Sequence, residues 1–409
     1  MLAGLLAADP LLSGHVGLAV ALIVILKVVA TFAILMVAVL FMVWYERKII
    51  AHLQNRVGPN KAGPWGLLQT LADGIKLFFK EDLLPERADR FVFKLAPYLS
   101  LVPAFLVFAV IPIGGDFAKG HDGSVVWWGH RTFVQLADPP IGILFLLAMS
   151  AIAVYGVMLA GWSSGSKYPL LGSVRASAQM VSYEAALGMS IAAVVLVSRT
   201  LSTTGIVQAQ NGLVRYSLVT TGVLPFIIFI VAATAELNRP PFDLVEAEQE
   251  LVGGFNTEYA SIRFALFYLA EYMNTVTMSG IIVTLFLGGP QAPFRFLENL
   301  PGPGWLWGVF WFLSKLFIFL YMYVWFRATL PRLRYDQLMD LGWKLLIPLS
   351  FGWLLLLFAT RLMNDWGWSR GKIVLGAAAS LAVLALGAML LRRALIVSQR
   401  NRASEGTMF

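Results

Sequence analysis

The chain has no cysteine. That excludes disulfides, thiolate zinc sites and cysteine-ligated iron–sulfur clusters from this polypeptide. Charge is scarce as well. Asp, Glu, Lys and Arg make up 13% of the 409 residues, where a soluble globular chain has about 25%. With 58% apolar residues and a mean hydropathy of +0.74, the solvent for most of the surface is lipid. Histidine is rare: His15, His52, His121 and His130 are all there are, and none lies mid-span at a spacing suited to haem. There is no Gly-x-Gly-x-x-Gly after a strand, no Walker A loop and no arguable nucleophile–histidine–acid set. The chain therefore carries no redox centre, no metal site and no nucleotide site of its own, though it can line a site for something else. No low-complexity tract is present, and no internal repeat is strong enough for an inverted-repeat transporter.

What is present is a series of apolar runs. Nine reach or approach the roughly 17–25 residues a spanning helix needs, near 17–44, 95–113, 140–161, 183–198, 222–236, 262–287, 305–326, 344–361 and 373–391. The fourth and fifth are short for a full crossing. The expected fold is an all-α polytopic membrane protein, one integral-membrane domain over 1–409. No cleavable signal is needed, because the first apolar run is long enough to be a span. Nine spans put the termini on opposite sides. One side collects 21 Lys and Arg and the other 8, with Lys27 and Lys315 inside spans. The positive-inside rule then places the C-terminus in the cytoplasm and the N-terminus outside. The net charge of +8 sits in loops between spans and so does not imply nucleic acid.

The densest chemistry is acidic. Glu236, Asp243, Glu246, Glu248, Glu250 and Glu258 are six of 23 acidic residues, packed into 23 positions. Glu246, Glu248 and Glu250 alternate, so they share no single helical face, and Pro240-Pro241 breaks the chain just before them. Lys27, Glu46, Glu184, Glu271 and Lys315 lie inside or at the ends of spans. Each could be a structural pair facing the bundle interior. As a set, crowded carboxylates disfavour one another's charge, and a water-linked series of them is a proton relay.

The first loop, 45–94, has its own pattern. Apolar residues at 67, 68, 71, 75, 78 and 79, with Asp73, Lys76 and Lys80 opposite, predict an amphipathic helix along the membrane surface over 66–81. Arg47, Arg56, Asp73 and Lys76 beside Phe78 and Phe79 would suit the head of a lipid-soluble ligand such as a quinone. They would equally suit phospholipid headgroups.

The stretch AELNRPPFDLVEAEQELVGGFNTEYA at 235–260 closely resembles the signature of one family, the quinone-site membrane subunit of proton-pumping NADH dehydrogenase, respiratory complex I. Other segments resemble that family in the same order: Glu46-Arg47-Lys48, QNRVGPN at 54–60, ADGIKLFFKE at 72–81, GWSSGSKYPLLGSVRASAQMVSYE at 161–184 and PRLRYDQLMDLGWK at 331–344. The resemblance covers 17–361.

It implies roles by position. Arg47, Arg56, Asp73 and Lys76 match the quinone tunnel. Glu184, Glu236, Asp243, Glu246, Glu248, Glu250, Glu258 and Glu271 match a carboxylate proton path. Arg175, Arg239, Arg332 and Arg334 match supporting basic positions. The resemblance also implies ubiquinone or menaquinone as substrate, with NADH, FMN and iron–sulfur clusters only in partner subunits. Those partners would be peripheral iron–sulfur subunits and antiporter-like membrane subunits, in a bacterial plasma membrane. The external loop 114–139 and the added span and basic tail, 373–409, depart from the shorter mitochondrial pattern. A secondary transporter or cation antiporter, or the similar subunit of a membrane-bound hydrogenase, is the competing reading.

Overall fold

The computed structural model describes residues 9–12, 17–117, 121–210, 215–244, 251–294, 297, 301–368 and, discontinuously, 371–397. Seven helices among the described residues are long and apolar enough to cross a membrane. Together with a shorter apolar helix, they make this an all-α polytopic membrane protein. The one sheet among the described residues is an antiparallel hairpin in the 114–139 loop, β1 Ser124–Trp127 paired with β2 His130–Phe133.

The first span, α1 Leu18–Leu53, is 36 residues long. It runs well past the apolar stretch, because no glycine or proline intervenes before Asn55 (φ 52°) and Gly58-Pro59. Glu46, Arg47 and Lys48 are therefore on a helix and not in a loop. The surface helix is present as α2 Gln69–Phe79. Ser261 Oγ ties down its end by donating to Leu77 O at 3.0 Å and Lys80 O at 2.7 Å. Leu71, Ile75, Phe78 and Phe79 on α2 are exposed, as an interfacial helix requires.

The next spans are α3 Arg90–Phe108, α4 Gly142–Ser163 and α5 Lys167–Ser198. The last begins far upstream of the expected 183. Its first half is rich in Ser, Gly and Ala, so hydropathy alone understates a helix that small residues pack tightly. Gly172 is one of these: a Cβ there would lie 2.7 Å from Gly254 Cα. After two short helices, α6 Thr203–Ala209 and α7 Ser217–Thr220, comes α8 Val223–Glu236, short as expected. It stops where Asn238 takes φ 51° and Pro240-Pro241 withdraws backbone donors.

The central span is α9 Ser261–Phe286; 83% of its apolar window is buried, against 22% for α1. Tyr183, Phe229, Tyr272, Met273, Ile282, Phe286 and Phe312 form the core with it. Then follow α10 Gly304–Thr329 and α11 Tyr335–Asp340, a π-helical turn Leu341–Leu346, and α12 Ile347–Asp365. Pro348 lacks the N–H that would continue ordinary helical bonding there. Contacts divide the chain at 347, with 348–409 forming a second unit. The expected ninth span, 373–391, falls only partly within the described residues.

Two lysines inside spans are paired at the end of the bundle that carries the hairpin. Lys27 Nζ lies 2.6 Å from Asp9 Oδ2 and 3.0 Å from Thr132 Oγ1. Lys315 Nζ donates to the carbonyls of Leu287, Gly289 and Gln291 at 2.7, 2.9 and 2.7 Å.

Candidate functional site

The loop after α8 is held rigidly before any charge is considered. Gln179 Nε2 on α5 donates to Ala235 O at 2.6 Å, Phe242 O at 2.9 Å and Asn238 Oδ1 at 3.1 Å. Leu333 N donates to Pro241 O at 3.0 Å from the other side. This knot delivers Arg239 to the bundle interior, where it is 3% exposed.

Arg239 joins two carboxylates from different helices. Its Nη1 lies 2.8 Å from Glu46 Oε2 on α1, and its Nε lies 2.9 Å from Glu271 Oε1 on α9. Its guanidinium also stacks on the Tyr272 ring at 4.4 Å. Burial opposes its charge, but Glu46 and Glu271 outweigh burial and hold the guanidinium charged more firmly than a free arginine. Arg327 on α10 is a second partner of Glu46.

Two cavities flank this hub. The first, about 510 Å³, has Glu236, Asp243 and Glu271 in its wall, with Arg332, Asn274 and Tyr268. Arg332 Nη2 lies 3.1 Å from Asp243 Oδ2. Glu236, at the end of α8, is hydrogen-bonded by Ser150 from α4, and Glu184 on α5 is within electrostatic reach. The second cavity, about 450 Å³, lies between Glu46, Arg47, Arg56, the Val57–Pro59 turn, Tyr268, Tyr272 and Arg327. Tyr268 belongs to both walls, and its hydroxyl is 3.1 Å from that of Tyr272. One cavity is thus acidic and the other mainly basic and aromatic, with the Glu46–Arg239–Glu271 bridge between them.

The predicted residues divide accordingly. Arg47 and Arg56 line the second cavity. Asp73 is joined to it through Arg47, at 2.7 Å. Lys76 is exposed on α2 and lines neither cavity. Glu236, Asp243 and Glu271 line the first, while Glu184 and Glu258 are half-buried outside its wall. Among the basic residues, Arg239 and Arg332 engage the carboxylates. Arg175 instead stacks on Tyr335 at 5.1 Å, and Arg334 is exposed. Glu246, Glu248 and Glu250 lie outside the described residues. In the segment that follows, Tyr259 stacks on Phe93 with ring centroids 4.0 Å apart and donates to Phe93 O at 3.1 Å. Burial pushes its phenol up to about 12.

Glu46 is the acid whose place sequence reasoning missed. Its position at the end of an apolar run marked it as unusual, but nothing nearby in sequence named Arg239 and Arg327 as partners. Tyr268, Tyr272, Ser150 and Asn274 are uncharged and gave no signal in composition or spacing.

Comparison with known proteins adds one result. The sequence model of a protein family described as NADH dehydrogenase matches residues 26–358. A protein of Streptomyces avermitilis, named as the H-type subunit of NADH-quinone oxidoreductase, is 49% identical over 366 residues, 89% of this chain and 79% of that one. Proteins of the same name from Frankia alni and Frankia casuarinae are 49% and 52% identical, over 370 and 335 residues. The alignments cover 90% and 81% of this chain, and 79% and 71% of those two.

Proposed function

The chain belongs to the NADH dehydrogenase family, and from that premise we propose that it serves as the H-type subunit of an NADH-quinone oxidoreductase, forming a quinone chamber and a proton path. The observation that carries this reading is the Arg239 bridge between carboxylates on the walls of two cavities. The cavity lined by Arg47 and Arg56 suits a quinone: apolar and aromatic residues share its wall with a few cationic groups. Reduction of a quinone takes up two electrons and two protons. The electrons would come from iron–sulfur partners, because this chain has no cysteine to ligate such clusters.

Charge that appears on a quinone beside Glu46 and Arg327 changes the balance at Arg239. When Arg239 is drawn toward Glu46, its hold on Glu271 weakens, and Glu271 becomes the better proton acceptor. Glu236 and Asp243, in the same cavity wall, extend that response along the bundle, with Glu184, Glu246, Glu248, Glu250 and Glu258 as its continuation. Arg332 is paired with Asp243, and in this reading Glu236 and Glu271 are the members that exchange protons. Arg175 and Arg334 support the surrounding loops, and Lys76 supports the quinone end. Peripheral iron–sulfur subunits would dock at the end bearing α2, and antiporter-like membrane subunits would take up the response. In this reading the protein sits in a bacterial plasma membrane, N-terminus outside and C-terminus in the cytoplasm.

The test is Glu271→Gln in the assembled complex, measured in inverted membrane vesicles. Proton pumping should be lost and quinone reduction slowed, while electron transfer from NADH to an upstream artificial acceptor continues. Unchanged pumping would reject the path.

A further inference from the structure

Among the described residues of α3, α8 and α9, three buried side-chain oxygens have no hydrogen-bond partner within the protein and belong to residues lining neighbouring cavities: Ser100 Oγ, Glu236 Oε2 and Thr277 Oγ1. They come from α3, α8 and α9, and their residues are 6%, 8% and 2% exposed. Ser100 and Glu236 line the 510 Å³ cavity. Glu236 and Thr277 line a third, much smaller one of about 30 Å³, together with Ser150, Met149 and Met278. Asn274 belongs to both walls, so the two cavities meet at Glu236 and Asn274.

A buried oxygen left unpaired costs about 1–3 kcal/mol, and native proteins satisfy such groups with ordered water where no side chain reaches them. A water needs roughly 10–15 Å³ and two to four polar partners. The small cavity has the volume, and Glu236, Thr277 and Asn274 supply the partners. The Ser150 hydroxyl donates to Oε1, the opposite oxygen of Glu236. The carboxyl is thus anchored on one side and open on the other.

We propose that the small cavity is a bound-water site joining Glu236 Oε2 to Thr277 Oγ1, with Ser150 and Thr277 as positioning residues that hold Glu236 and its water in place for proton exchange. The inference rests on the proton-path reading above. A proton reaching Glu236 from the large cavity sits on Oε2, because Ser150 occupies Oε1. The water accepts a hydrogen bond from the protonated Oε2 and donates one to Thr277 Oγ1, so the hydroxyl fixes where that proton is held. When Glu236 passes the proton on to another carboxylate of the large cavity, the water turns to donate to Oε2, and neither the water nor Thr277 gains or loses a proton overall. Neither serine nor threonine titrates in the physiological range, so a search for carboxylates alone passes over both.

Thr277→Val removes the hydroxyl and keeps the shape, and Thr277→Ser restores it. In inverted vesicles containing the assembled complex, Thr277→Val should lose proton pumping, with the KM for quinone unchanged, and Thr277→Ser should recover it. Infrared difference spectra should show the protonated Glu236 carbonyl band shifted upward in Thr277→Val, with the band assigned by its loss in Glu236→Gln. Should Thr277→Val pump at the unmodified rate with an unmoved band, while Glu236→Gln does not pump, the water site is wrong and the path reading stands. If Glu236→Gln itself pumps normally, the path reading fails and takes this inference with it. Should Thr277→Val not assemble, a high-resolution map of the unmodified complex decides: water density between Glu236 and Thr277 supports the site, and a cavity closed by side chains or filled by a lipid tail overturns it.

Discussion

Arg239 reaches Glu46, 193 positions earlier in the chain, at 2.8 Å, with both side chains 4% exposed. Each charge is held so deep in the bundle by this contact together with one more, Arg327 for Glu46 and Glu271 for Arg239. Breaking a buried pair by removing one partner costs about 3–5 kcal/mol, because the survivor is left uncompensated. Arg239→Met leaves Glu46 with Arg327 alone and takes the Arg239 cation from Glu271, and it should sharply reduce the yield of folded complex. Arg239→Lys keeps the charge but loses the fork that reaches two carboxylates at once, so its thermal stability should fall between Met and the unmodified protein. Equal melting temperatures for all three would show that the bridge contributes nothing to the fold.

Lys315 makes a different kind of interior contact. Its ammonium satisfies three backbone carbonyls in the turn after α9. Lys315→Met leaves all three without that donor, at about 1–3 kcal/mol for each carbonyl that water cannot reach. Thermal unfolding of the purified complex should register the loss, and Lys315→Gln should recover part of it. A Met variant as stable as the unmodified chain would mean the turn is already satisfied by other means.

Gly172 tests the packing under the 251–260 segment. The added methyl of Gly172→Ala would meet Gly254 Cα at 2.7 Å. Backbone cannot swing aside as a flexible side chain does, and overpacking of this kind costs about 1–3 kcal/mol. Gly188, on the same helix, has nothing within 4 Å of the same atom. Gly188→Ala should therefore stabilise, by roughly 0.5–1 kcal/mol from helix propensity. Opposite signs for the two substitutions are the expected result in a melting assay, and matching signs would contradict the described contact.

At the quinone end the geometry ranks residues that sequence spacing grouped as equals. Arg56 lines the cavity beside Glu46 and Tyr272, whereas Lys76 is exposed on α2. Arg56→Ala should raise the KM for quinone several-fold, and Lys76→Ala should move it less. Steady-state quinone reduction in membranes, normalised to upstream electron transfer, measures both. A larger effect at Lys76 would shift the binding site to the membrane surface.

The apolar runs were enough, from the sequence alone, to establish a multi-spanning helical bundle with an interfacial helix. A chain whose surface faces lipid must satisfy its backbone internally, and helices do so wherever about twenty apolar residues follow one another. Hydropathy failed where helix and lipid exposure part company. The first half of α5 is polar enough to read as loop, yet it is helical because its small residues pack against neighbours, as Gly172 does against Gly254. The acidic cluster was likewise legible, because carboxylates beside apolar spans stand out in composition. Its wiring was not. Glu46 and Arg239 are remote in sequence and meet only because α1, the loop after α8 and α9 converge. The polar groups that line the cavities around Glu236, Ser150, Asn274 and Thr277, carry no charge to betray them. Sequence determined which groups the membrane would have to accommodate; the tertiary structure decided which of them touch, because burial forces each charge to find a partner and only the packed bundle determines which partners are within reach.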